Sequence, residues 1–334
     1  NSSSTQTFSG ANTYSGGTTI NAGILKIDTV NSVGTSSGPL GLGTVAIIGN
    51  TNSSATLDLN ARTISNLMTL TGPSSGSDVG ALINSNSSGA IANGNLVLSG
   101  NTTIGSSAAG TMTLNGAISG GATLTKVGSD TLILTGNNTY TNGTTISNGT
   151  LQAGSSWSAA NTTGPVGTGA ITINAASTAA TLDLYGQTFP NNINLTGTSS
   201  TASIVNSSNT AATESGAIAL TGTTNIGSAN GAITLSGVIS NASSAAALTK
   251  VGTDTVTLSA ANTYSGGTQI NAGSLQAAGV SVGNVGSITS GPLGTSTITI
   301  GSATNLAATF DLNGQTILNP ITVYGTGITG ASNL

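Results

Sequence analysis

The fold class predicted by this sequence is all-β: a parallel β-solenoid built from long internal repeats. Three observations predict it. The segment Leu124–Ala153 returns as Leu248–Ala277, and the end of a third copy stands at Thr7–Ile27. Short runs of alternating apolar and polar residues fill the chain. Charge is nearly absent along those runs. Stacked turns place equivalent side chains about 4.8 Å apart. Like charges repel in such a stack, whereas Thr, Asn and aliphatic side chains form favourable ladders.

The repeat sets the organisation. Tyr14, Tyr140 and Tyr264 mark equivalent positions, 126 and 124 residues apart (140 − 14 and 264 − 140). Residues 1–334 therefore read as one continuous solenoid, with units at 1–123, 124–247 and 248–334, the first and last incomplete. A turn of three short strands takes roughly 20–25 residues. On that basis one unit holds about five or six turns. The whole chain would make about 14–16 turns, on the order of 70 Å in length.

The strands follow from alternation. Thr56-Leu57-Asp58-Leu59, Thr111-Met112-Thr113-Leu114, Ala170-Ile171-Thr172-Ile173 and Thr297-Ile298-Thr299-Ile300 read as half-buried. Leu96-Val97-Leu98 and Leu132-Ile133-Leu134 are apolar throughout and read as more deeply buried. Turn residues separate them: Ser15-Gly16-Gly17, Asn142-Gly143 and Ser265-Gly266-Gly267 recur beside the tyrosines. No segment carries a helical period.

Composition removes several functions. Charged residues make up 4% of the chain, against about 25% in ordinary domains. The only cations are Lys26, Arg62, Lys126 and Lys250, too few to neutralise a phosphate backbone. Nucleic acid is therefore excluded as a partner, as is docking on an anionic membrane. No apolar run is long enough to cross a bilayer as a helix, so no membrane insertion of this segment is expected. With no His and no Cys, disulfides, thiol chemistry and a conventional catalytic triad are ruled out.

The remaining candidates read as structural. Asp58, Asp183 and Asp311 recur in A-T-[LF]-D-L segments. Acid–base glycan cleavage needs two carboxylates about 5–10 Å apart. These three should sit several turns from one another, each bonding its local turn. Lys126 with Asp130, and Lys250 with Asp254, read as turn-spanning ion pairs worth about 0–1 kcal/mol. Tyr14, Tyr140 and Tyr264 read as aromatics closing the core at strand ends. Trp157 has no counterpart in the other units and reads as a loop anchor or a glycan-binding residue. Thr111/Thr113, Thr123/Thr125 and Thr297/Thr299 are too irregular for an ice-binding array. Asn101, Asn142 and Asn148 head N-glycosylation-type sequons of the kind chance supplies in this composition. Eight scattered acids and no calcium-loop array give no metal site. No catalytic, cofactor-binding or metal-binding residue and no cofactor is therefore expected.

At the repeated windows the chain resembles the passenger-associated repeats of autotransporters and related giant bacterial surface proteins. The pattern L-T-K-x-G-x-x-T-L-x-L-x-G-x-N-x-Y-x-G-x-T-x-I-x-x-G-x-L runs from Leu124 to Leu151, with Asn142 for Gly. It runs again from Leu248 to Leu275, with Val256 for Leu and Ala260 for Gly. The N-terminal copy joins at Phe8, where Leu is expected. Weaker similarity continues through Gly38-Pro39-Leu40-Gly41, Gly164-Pro165-Val166-Gly167 and Gly291-Pro292-Leu293-Gly294. The resemblance implies a right-handed parallel β-helix, exported across the outer membrane and displayed at the cell surface or secreted. The function expected is a structural one, in an extracellular fibre, stalk or surface layer, with possible head-to-tail association into a filament. An adhesin that presents a glycan- or surface-binding face is the alternative. A polysaccharide-degrading β-helix ranks third.

Overall fold

The computed structural model describes residues 4–28, 38–49, 54–72, 80–106, 108, 110–157, 163–174, 179–197, 202–227, 229–242, 245–302 and 307–324. These residues contain strands and turns and no helix. The strands stack in parallel into three walls. The first wall has 11 strands, from Thr5–Phe8 to Ile239–Asn241. The second has 12, from Thr63–Ile64 to Ile321–Val323. The third has a run of 5, from Thr18–Ile20 to Ile118–Gly120, and a run of 6, from Thr188–Phe189 to Ala308–Asp311. Backbone bonds carry the third wall between its two runs. Thr139 and Thr141 N–H donate to Ile118 and Gly120 O, and Thr168 N–H donates to Tyr140 O.

The unit does not close on itself. From Leu124–Lys126 the chain crosses the first wall again at Thr144–Ile146, Ile171–Asn174, Ile193–Thr196, Ile218–Leu220 and Ile239–Asn241. The next copy, Leu248–Lys250, then lies on the second wall. One unit is therefore five turns and one wall, as the expected five or six turns allow. The equivalent strands Thr5–Phe8, Thr131–Leu134 and Thr255–Leu258 accordingly stand on the first, second and third walls.

Turn length is less even than expected. Thr131 pairs with Thr150, 19 residues on (150 − 131). Gly273 pairs with Ala308, 35 residues on (308 − 273). The long turns are those that carry the G-P-x-G segments. They reduce the stack to 12 strands on its longest wall, against the 14–16 turns expected, and its length to about 55 Å.

Alternation sorts side chains as the sequence predicts. In Met112–Leu114 the outer residues of the triplet face in and Thr113 faces out. The two all-apolar triplets behave the same way, contrary to expectation. Val97 is exposed and Ile133 half-buried, because a single outward position remains in each short strand whatever residue fills it. The inward residues form one contiguous core of Leu, Ile, Val and Ala running the length of the rod. Burying each Leu or Ile contributes about 1.5–3 kcal/mol.

Among the described residues one strand pair departs from the parallel pattern. Val282–Asn284 and Ser287–Ser290 form an antiparallel hairpin between Ala277 and Gly291, in the long turn of the C-terminal copy.

Candidate functional site

Strand parity turns the motif lysine inward. Leu124 and Lys126 face the core while Thr125 faces out. The Lys126 side chain is fully buried, and so is that of Asp130 across the turn. Lys126 Nζ stands 2.6 Å from Asp130 Oδ1. It also donates to Val127 O at 2.7 Å, Gly128 O at 2.8 Å and Asn148 O at 3.1 Å. Asp130 Oδ2 accepts from Ser106 N at 3.1 Å. The group thus ties three successive turns: the one before through Ser106, its own, and the one after through Asn148.

The C-terminal copy repeats this geometry. Lys250 Nζ is 2.7 Å from Asp254 Oδ1 and donates to Val251, Gly252 and Ala272 O at 2.8, 2.8 and 3.1 Å. Glycines make the space. A Cβ on Gly149 would lie 2.8 Å from Lys126 Nζ, and one on Gly273 would lie 2.8 Å from Lys250 Nζ.

Burial dominates the electrostatics. Desolvation lowers the Lys126 pKa against the pull of Asp130, and raises that of Asp130 against the pull of Lys126. Desolvation likewise lowers that of Lys250. The surface value expected for these pairs does not apply. Removing water strengthens the attraction but also adds a desolvation cost to each ion, so the pair is valuable only while complete.

A second fastening holds each G-P-x-G segment. Asn138 Oδ1 accepts from Ile118 N at 2.7 Å, and its Nδ2 donates to Pro165 O at 2.5 Å. The Tyr140 hydroxyl is 2.7 Å from Thr144 Oγ1, which donates to Val166 O at 2.8 Å. Asn262, Tyr264 and Thr268 do the same around Pro292 and Leu293. Burial pushes both tyrosine hydroxyls upward in pKa. Tyr140 and Tyr264 are wholly inside, as core-closing aromatics should be, whereas Tyr14 is 38% exposed. Asn66, Asn191 and Asn319 complete the fastening one turn later. Asn191 Nδ2 donates to Gly167 and Gly169 O at 3.2 and 2.8 Å, and its two equivalents repeat the pattern.

The recurrent aspartates lie on three different walls, Asp58 on the first, Asp183 on the second and Asp311 on the third. Each bonds its own turn. Asn60, Tyr185 and Asn313 N–H donate to the Oδ1 atoms at 2.9, 3.1 and 2.8 Å. Those three donors hold positive φ values of 46°, 45° and 46°, so the carboxylate fixes a left-handed corner. Ser85 and Ser207 take up Oδ2 of Asp58 and Asp183.

Trp157 is half-buried against the core, with its ring over Gly164, where a Cβ would lie 2.3 Å from it. That position suits a loop anchor. The three threonine pairs do not stack on one another. Thr113 stacks between Ile91 and Ile133, Thr125 between Thr103 and Thr145, and Thr299 between Gln269 and Thr322. Among the described residues no three His, Cys, Asp or Glu side chains gather where a metal could sit.

Two features escaped the sequence reading. Asn84 and Asn206 are fully buried and bond across neighbouring turns. Glu214 is fully buried in the strand Ala212–Glu214, where parity points Ala212 and Glu214 inward and Thr213 outward. That parity was the signal available for Glu214.

The passenger-associated-transport-repeat family model matches residues 1–27, 124–153 and 248–277. No curated protein and no solved structure matches the chain. The second and third matched windows hold the buried lysine–aspartate pairs, and each of the three holds a tyrosine–threonine bond.

Proposed function

We propose that the chain is a structural rod of a secreted or cell-surface bacterial protein, of the passenger type, and that it performs no catalysis. The observation that carries this reading is where the polar residues of the matched repeats spend their bonding capacity. Lys126, Asp130 and Asn138 are buried and bond backbone groups of adjacent turns, and buried Tyr140 does so through Thr144, so their work is to fasten turns together. The recurrent aspartates fix corners on separate walls. Continuous parallel ladders then make the molecule stiff along its axis. Antibody labelling of intact producing cells tests the location. Signal without permeabilisation is expected, and signal only after permeabilisation contradicts the proposal.

Head-to-tail association belongs to the same proposal. Among the described residues, Thr5–Phe8 and Ile321–Val323 each pair on one side only. Such edges accept a further turn, from the same chain or from another copy. Rod length that grows with protein concentration in electron micrographs supports association between copies; constant length opposes it.

One observation favours an added binding role. The hairpin Val282–Asn284/Ser287–Ser290 projects from the rod with Val282 and Val285 at 51% and 79% exposure. In this second reading the rod carries a surface-binding hairpin. Deleting residues 283–287 should abolish adhesion and leave the rod intact.

A further inference from the structure

Glu214 is the one acid in the described core that faces inward without a cation beside it. Its strand neighbours in register are Phe189 on the turn before and Leu235 on the turn after, both fully buried. Oε1 accepts from Gly216 N at 2.7 Å, while Oε2 is buried with no donor. Gly216 itself is pressed onto the preceding turn, where a Cβ would lie 2.0 Å from Asn191 O, so no side chain enters from that corner.

The packed elements offer nothing to neutralise a charge. Thr188–Phe189, Ile193–Thr196, Ile218–Leu220, Thr224–Ile226 and Ile233–Leu235 carry no titratable side chain, and Ala202–Val205 contains none in sequence. Asp183, on the neighbouring wall, is occupied by Ser207 and Gln152. In the preceding unit the equivalent strand, Ala90–Ala92, ends in Ala92. A carboxylate here would leave a bare charge in an apolar core, whereas the neutral acid leaves one unpaired hydroxyl, a far smaller cost.

We propose that Glu214 is carried as a neutral carboxylic acid and makes the turns around Thr188–Phe189, Ala212–Glu214 and Ile233–Leu235 a proton-dependent joint in an otherwise uniform rod. Burial pushes the carboxyl up to about 9 from an ordinary 4.5, against the Gly216 N–H that favours the anion. The closed joint therefore holds a proton that the opened joint releases between those limits. Its stability is fully present below about 4.5 and falls as pH rises toward about 9. Across that window the opening equilibrium grows by up to about tenfold per pH unit.

Hydrogen exchange of the whole chain at pH 5, 6.5 and 8, corrected for intrinsic rates, tests this. Residues 188–235 of the wild type should lose protection by about tenfold per unit relative to residues 112–134. Glu214→Gln should remove that dependence, and Glu214→Ala, which copies Ala92, should do the same if the glutamine variant does not fold. The infrared carbonyl band of a protonated carboxyl should be present in the wild type at pH 7 and reduced in either variant. Equal pH dependence in wild type and variants, or no band difference at pH 7, overturns the proposal.

Discussion

Lys126 and Lys250 are the same residue of the repeat on adjacent walls of the rod, Lys126 on the first and Lys250 on the second. Each is buried, each is paired to the aspartate four residues on, and each bonds a carbonyl of the following turn. A unit of five turns and one wall thus repeats its internal fastenings while rotating them about the axis. Anything the repeat displays outward faces a new direction in each unit.

Breaking one partner of the buried pair should be costly. Lys126→Met leaves Asp130 in the core without its cation, with an expected loss of about 3–5 kcal/mol. Adding Asp130→Leu should recover much of that loss, since two apolar groups need no pairing. Denaturation midpoints of the single and double variants check this; equal midpoints for wild type and Lys126→Met contradict it.

Two glycines offer a matched comparison. Gly167 holds φ +70°, and a Cβ there would lie 2.6 Å from the Tyr140 ring. Gly121 has open space around it. Gly167→Ala should destabilise by more than about 1 kcal/mol, while Gly121→Ala should stay within about 0.5 kcal/mol of wild type. Thermal melts of both decide it, and similar effects at the two sites would count against the described fastening.

Asn191→Ala should leave Gly167 and Gly169 O without the amide that bonds them, at about 1–3 kcal/mol. The local effect should appear as faster amide exchange in residues 164–171. Unchanged exchange there would show that the amide does not fasten the turn.

Trypsin should find only two of the four basic residues. Lys126 and Lys250 are buried in the native rod, whereas Lys26 and Arg62 are half-buried. Native digestion should therefore leave the chain beyond Arg62 whole, as mass spectrometry of the products can show. Early cleavage after Lys126 would contradict the burial.

The all-β class, the parallel stack and the unit of five or six turns were legible because alternation and repetition are properties of the chain itself. Wall assignment was not. It depends on the length of each turn, and the G-P-x-G turns are long for reasons that reside in side-chain bonds to distant residues, such as Asn138 to Pro165. Charge was misplaced for a related reason. A lysine in L-T-K reads as surface, but strand parity seats Lys126 with Leu124, and carbonyls of the turn at Gly128 and of Asn148 on the next turn receive it. Asp58, Asp183 and Asp311 were readable as turn residues because each makes a local bond two residues on, whatever else it bonds. Asn84 and Asn206 were hidden because their partners include residues a whole turn away.

The rotation of one wall per unit is tested most directly by labelling equivalent exposed positions. Thr141 and Ser265 are such a pair, both exposed, and the chain has no native cysteine. Thr141→Cys and Ser265→Cys, biotinylated and bound to streptavidin, can be imaged together on single rods by cryo-electron microscopy. The two labels should project about a third of a turn apart around the axis and about five turns apart along it. Labels on the same side of the rod would contradict the account.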